Sequence, residues 1–216
     1  MKLFPEKYRR LRIILCGVLI IIPIFYFYIL PLIYYSGYSP EEGDIIFQAL
    51  PDAVDLVRTI EGVTESCYSH CGVVIRDNDE WLVNEALGTV HSTPIMDWIK
   101  RGRSSHFSVF RLKAEYRENI PNFLQALNKY QGRPYDMKYE LDDRKIYCSE
   151  LVYKAYLDAT SEELGELVEL GSLNWRPYEE TIRKYEDGPP PLNRRMITPV
   201  DLSRARQLAK IYSVGI

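Results

Sequence analysis

The sequence predicts an α+β domain carried behind one N-terminal membrane-spanning helix. Three observations lead there. Residues 13–35 form a 23-residue stretch without a charge. The β-rich runs of the remainder gather in its first half, and the strongest helical patterns gather in its second half.

The apolar stretch comes first. At 1.5 Å per residue, residues 13–35 reach across a hydrocarbon layer of about 30 Å. Pro23 and Pro31 fall inside it, which membrane helices tolerate. Tyr26, Tyr28, Tyr34 and Tyr35 suit an interfacial belt. Residues 1–12 carry Lys2, Lys7, Arg9, Arg10 and Arg12 against Glu6, a balance of +4. The next charges are Glu41, Glu42 and Asp44. That bias places the N-terminus in the cytoplasm and the body outside it, at a periplasmic or cell-surface location. A cleaved signal peptide is the competing reading. The length of the span and the lack of an A-x-A site speak against it. The expected organisation is a basic arm over 1–12, an anchor over 13–35, a linker over 36–42 and one domain over 43–216.

Within that domain, Asp44 to Gln48 reads as a buried strand. Residues 49–66 are ambiguous between a short helix and a lid whose apolar residues line a groove. Tyr68 to Ile75 and Trp81 to Ala86 are β-rich runs on either side of the polar turn Arg76-Asp77-Asn78-Asp79-Glu80, a hairpin signal. Thr93 and Pro94 read as the cap and first residue of a helix running to Arg101. Phe107 to Leu112 is a further strand. Pro121 opens a helix that Gly132 stops. Cys148 to Ala159 has the clearest helical face, with Leu151, Val152, Ala155 and Tyr156 at helical spacing. Residues 161–175 are partly helical, 189–191 are a proline loop, and Thr198-Pro199 opens a terminal helix.

The chain has 216 residues and a net charge of −3, so the body without its basic arm carries −7. That balance argues against nucleic acid as a partner. The four cysteines do not make a disulfide framework for a domain of this size. Cys148 opens an amphipathic helix, where free backbone N–H groups and the helix dipole lower a thiol pKa. Of the three histidines, His70 lies in a strand that can aim it, while His91 and His106 fall in polar, loop-like contexts. A four-residue turn over 77–80 pairs Gly72 with Glu85 and sets His70 and Glu85 diagonally on one face. An odd turn would separate them. Cys148 as nucleophile, His70 as base and Glu85 as orienting carboxylate would then make a triad for acyl transfer. Bland readings stand beside each: a buried helix-start cysteine, a structural strand histidine, a solvated strand-end glutamate. A metal site from Cys67, His70 and Cys71 has poor ligand spacing and no second pair nearby, so no metal or cofactor is expected.

Several segments resemble one family in order and context. They are Gly43-Asp44-Ile45-Ile46-Phe47, Tyr68-Ser69-His70-Cys71-Gly72-Val73-Val74, Asn84-Glu85-Ala86, Thr93-Pro94-Ile95 with Trp98, Gly132-Arg133-Pro134-Tyr135-Asp136 and Tyr147-Cys148-Ser149-Glu150-Leu151-Val152. The family is the permuted papain-like hydrolases of the YiiX/YebB-like branch of the NlpC superfamily. The resemblance covers the chain from Gly43 to the Thr198-Pro199 helix. It implies a papain-like core in which the histidine sheet precedes the cysteine helix. It also implies Cys148, His70 and Glu85 as the catalytic set, acting on amide or ester bonds of a small-molecule, lipid or peptide substrate. Tyr135 resembles a tyrosine near the family active site and is a candidate for oxyanion or substrate contact, as is Tyr147. Cys71 departs from the family, where a simple apolar residue follows the histidine. A catalytically silent module that binds lipid or cell-wall peptide is the alternative to the enzyme.

Overall fold

The structure, a computed structural model, describes residue 16 and residues 18–215. The basic arm 1–12 and the first part of the apolar stretch lie outside the described residues. Helix α1 (Val18–Ser36) has a mean hydropathy of 2.2, and among the described residues it alone is long and apolar enough to cross a membrane. Pro31 has no N–H to give the preceding turn, and a π-turn over Phe25–Ile29 lies just before it.

The domain is built on one antiparallel sheet. Its strands are β1 (Ile45–Gln48), β2 (His70–Asp77), β3 (Glu80–Leu87), β4 (Thr89–Pro94), β5 (Phe107–Leu112) and β8 (Leu208–Val214). Their spatial order is β4-β3-β2-β1-β5-β8. A separate two-stranded ribbon pairs β6 (Val168–Glu169) with β7 (Arg195–Met196). The helices are α2 (Asp55–Thr64), α3 (Ile95–Arg101), α4 (Ile120–Leu127), α5 (Cys148–Thr160), α6 (Glu179–Glu186) and α7 (Pro199–Ser203).

Strand alternation divides the core between the two sheet faces. Ile45, Phe47, Cys71, Val73 and Ala86 face α4 and α5, where they meet Phe123, Leu151, Val152 and Tyr156. Ile46, Val74, Val83, Phe107 and Val109 face the other way, toward Ile95, Trp98 and Ile99 of α3. Tyr34 and Tyr35, from the last turn of α1, pack on this second cluster. The 36–42 segment continues the contact. Tyr38 is buried, stacks on Tyr212 at 5.9 Å and donates its hydroxyl to Asp44 at 2.6 Å. Tyr212 in turn donates to the Tyr34 carbonyl. The apolar helix therefore ends in the domain core.

The β2–β3 hairpin turns through two residues rather than four. Asn78 and Asp79 both have positive φ (45° and 68°), as a tight primed turn requires. Shortening an even loop by one residue at each end preserves parity, so Gly72 pairs with Glu85 and Arg76 with Trp81. Other elements differ from the sequence reading. Thr93 and Pro94 end strand β4 instead of starting a helix, and α3 begins at Ile95. Thr198 does cap a helix, its hydroxyl accepting the Asp201 N–H at 3.2 Å. That helix stops at Ser203, and the chain returns as edge strand β8. Residues 161–175 hold only a short ribbon strand and a 3-10 turn.

Gly72 marks where the hairpin is tightest. A Cβ there would lie 2.5 Å from Val83 Cγ1 and 2.8 Å from the Asn84 carbonyl oxygen. Gly72→Ala is expected to destabilise the domain by about 1–3 kcal/mol, as overpacking does. A lower denaturant midpoint with an unchanged slope is the expected result; an unmoved midpoint would show that the hairpin yields freely.

Candidate active site

Cys148 is the first residue of α5, and its neighbours fix that start. The Tyr147 N–H donates to the Glu150 carboxylate at 3.2 Å, closing the first turn. Ser149 donates to the Ile197 carbonyl at 2.8 Å, and the Ile197 N–H donates to the Tyr147 hydroxyl at 3.1 Å. The 196–198 segment thus clamps the helix N-terminus in place. Tyr147 is fully buried with its hydroxyl already engaged, which makes it a packing residue in this structure.

His70 opens β2 and is buried, its ring centroid 6.0 Å from that of Trp98. Its Nε2 lies 2.5 Å from Glu85 Oε2, which leaves Nδ1 for the Cys148 thiol. Glu85 is wholly buried, and a bare carboxylate there would be costly. Its oxygens are satisfied from three elements. Thr93 of β4 donates at 2.6 Å, Trp98 of α3 donates its indole N–H at 3.0 Å, and Arg101 of α3 forms an ion pair. His70 and Glu85 follow from the sequence parity. Thr93, Trp98 and Arg101 were missed as partners of the acid. Thr93 sits diagonal to Glu85 across the β3–β4 pair just as His70 does across β2–β3, but with Thr93 read as a helix cap that pairing was not visible in the sequence.

The electrostatics fit an ion pair. Burial alone would lower the His70 pKa, but hydrogen bonds to Cys148 and Glu85 outweigh it and raise the pKa to about 9. Burial pushes Glu85 up, and His70 and Arg101 overcome it to hold the carboxylate at about 2. For Cys148, hydrogen bonding to Cys71 is the largest influence. With the His70 contact it overcomes desolvation and puts the thiol well below its usual range. Tyr135 is half-buried, hydrogen-bonded to the Tyr139 hydroxyl at 3.1 Å, and its phenol is pushed well above its ordinary range by burial and the nearby Tyr139 and Cys148. It stays protonated and beside the sulfur. Tyr139 packs against Tyr147 with the rings tilted by 46° and their centroids 4.8 Å apart.

The arrangement is that of a thiol paired with a carboxylate-held imidazole, and comparison with known proteins agrees. A family model for permuted papain-like amidase enzymes of the YaeF/YiiX type matches residues 39–212. The chain belongs to that family. The uncharacterized protein YiiX of Escherichia coli strain K12 is 29% identical to it over 203 residues, covering 93% of this chain and 94% of the relative. The crystal structure of YiiX from Escherichia coli O157:H7, described as a metalloprotein, matches with a TM-score of 0.77 at 29% identity. That match covers 82% of this chain and 99% of the other. The family supports a papain-like amidase or peptidase-type hydrolase acting on a small-molecule or peptide substrate, and a mixed fold of antiparallel sheet and helices. Among the described residues, no group of three or more His, Cys, Asp and Glu side chains is arranged to hold a metal ion.

The charge on Glu85 should help hold the His70 proton, beside the larger contribution of the Cys148 contact. In Glu85→Gln the His70 titration midpoint, followed by ring NMR shifts, is expected to fall from about 9 by roughly one unit or more. An unmoved midpoint would remove Glu85 from the orienting role.

Proposed function

We propose that the protein is a membrane-anchored thiol hydrolase of amide or ester bonds, with Cys148 as nucleophile, His70 as base and Glu85 as orienting acid. The observation that carries this reading is the buried contact between a helix-start thiol and an imidazole locked by a four-times-paired carboxylate. The Cys148 thiolate attacks the substrate carbonyl carbon, and the oxygen takes up the charge. The Cys148 N–H at the helix start and the protonated Tyr135 phenol are the donors for that oxyanion. The His70 imidazolium gives its proton to the departing amine or alkoxide, leaving a thioester. His70 then draws a proton from water, which attacks the thioester and frees the thiolate.

An apolar groove supports a substrate class. Leu56, Ile60 and Val63 of α2 form one wall, Ile182 and Met196 another, and the lining includes Tyr139, which feels the charge of Cys148. Its free volume of about 80 Å³ is too small for a whole ligand and suits a short apolar segment of one. An acyl chain on the carbonyl side of the scissile bond suits such a lining. The anchor supports the same reading. Tyr34 and Tyr35, in the last turn of α1, pack on the domain, and the Tyr34 carbonyl accepts from Tyr212, so the domain is held at the end of the helix. The basic arm keeps the N-terminus in the cytoplasm and the domain outside.

Three experiments test these claims on the full chain in detergent. Cys148 is expected to alkylate far faster than exposed Cys67 at neutral pH, and roughly a hundredfold slower in His70→Ala. Equal rates at the two cysteines, or indifference to His70, would favour a silent binding module instead. Hydrolysis should also decline above about pH 9, as the raised His70 pKa is passed and the imidazolium is lost. For the groove, Ile60→Asp is expected to raise KM for a long-chain N-acyl amide about tenfold or more while leaving Cys148 alkylation unchanged. Equal losses on short and long acyl groups would refute the acyl-chain assignment.

A further inference from the structure

Cys71 touches no substrate in the hydrolysis just described, yet it is the largest influence on the Cys148 thiolate. It follows His70 on β2 and, by strand alternation, faces the opposite side of the sheet, toward α5. It is completely buried in the same apolar cluster as Cys148. Helix α5 packs directly on β2, with Cα atoms of the two elements within 8 Å of each other. The two sulfurs lie close enough to act directly on one another's ionisation. The environments of the two sulfurs are opposed. His70 and the Cys71 donors favour the Cys148 thiolate, whereas desolvation keeps Cys71 a neutral thiol. Neither is in a disulfide here.

We propose that Cys148 and Cys71 form an oxidative modification site, in which Cys71 resolves the oxidised nucleophile into a reversible Cys71–Cys148 disulfide. The oxidant is a peroxide. The Cys148 thiolate attacks one peroxide oxygen, the O–O bond breaks, hydroxide leaves, and Cys148 becomes a sulfenic acid. The Cys71 sulfur then attacks the Cys148 sulfur, its proton leaves with the hydroxyl as water, and the S–S bond forms. Sulfur has lost two electrons in all, and peroxide has gained them. A dithiol reductant reverses the change, becoming a disulfide itself while both thiols return. Without a thiol in contact, a sulfenic acid goes on to the irreversible sulfinic and sulfonic acids. A valine at position 71 would fill the same core volume but leave Cys148 on that irreversible path. The apolar burial of Cys71 also keeps it from reacting with peroxide on its own account.

The inference rests on Cys148 being the ionised thiol of the proposed function, and the two fail separately. The full chain in detergent is treated with hydrogen peroxide at a small excess, blocked with N-ethylmaleimide, digested without reduction and mapped by mass spectrometry. The expected product is a cross-linked Cys71–Cys148 peptide pair, lighter than the two free peptides by two hydrogens, and lost on treatment with dithiothreitol. In Cys71→Val and Cys71→Ser the pair disappears, Cys148 gains two or three oxygens, and dithiothreitol no longer restores its alkylation. Cys67→Ser leaves the cross-link in place. Two results would overturn the proposal: sulfinic acid accumulating on Cys148 at equal rates with and without Cys71, or a cross-link that joins Cys148 to Cys67. Slow alkylation of Cys148 in untreated protein would instead count against the nucleophile itself. Unchanged thermal melting in at least one Cys71 variant confirms that the comparison is made between folded proteins.

Discussion

The constraint on which the site depends is the burial of one carboxylate. Glu85 is removed from water completely, in the middle strand of a three-strand segment, and an unpaired charge there would unfold the region or take up a proton. Its charge survives because β2, β4 and α3 each deliver a donor to it. This makes the acid a keystone in a structural sense. Register errors in either hairpin would strip it of partners, and so would a displaced α3. His70 is one of those partners, so the fold that satisfies Glu85 also places and charges His70.

That coupling explains the rest of the arrangement. A histidine held as imidazolium lowers the pKa of a thiol set beside it, and a helix N-terminus does the same. Cys148 receives both influences because α5 starts where β2 starts. The clamp from the 196–198 segment fixes that starting point, so the sulfur cannot drift with fraying of the helix end. Strand β2 thereby acts on Cys148 from both faces: His70 reaches it from the α3 side and Cys71 from the α5 side.

Much of the site was legible in the sequence because it depends on parity alone. An even hairpin loop puts His70 and Glu85 on one face whether the loop has two residues or four, and the error in loop length left the pairing unharmed. The helix beginning at Cys148 was legible because its apolar residues recur on one face. Elements whose burial comes from few residues were not. Strand β4 buries only Val90 fully, and its Thr, Ser and His residues read as a loop. Helix α6 buries only Ile182. Strand β8 sits at the sheet edge with one buried residue, so its pattern carried less weight than the genuine helix cap at Thr198 just before it. The partners of Glu85 were hidden for a different reason. Arg101 reads as a solvated helix-end charge, and only the tertiary placement of α3 turns it inward.

The junction between anchor and domain is part of this same chain of dependence. Tyr34 and Tyr35 close the cluster that contains Trp98, and Trp98 donates to Glu85. The last turn of the apolar helix therefore packs on the cluster whose Trp98 holds Glu85. A flexible tether would let the domain tumble above a bilayer; here the Tyr34 carbonyl accepts from Tyr212 of β8, and Tyr38 carries the contact on to Asp44. With α1 in a membrane, such bonds fix which side of the domain lies lowest. Arg103 pairs with Glu61 of α2, the helix whose other face lines the apolar groove. In the acyl-substrate reading, this geometry presents the groove to the bilayer at a constant height, and a substrate chain leaving the lipid would meet apolar surface before it meets the thiolate.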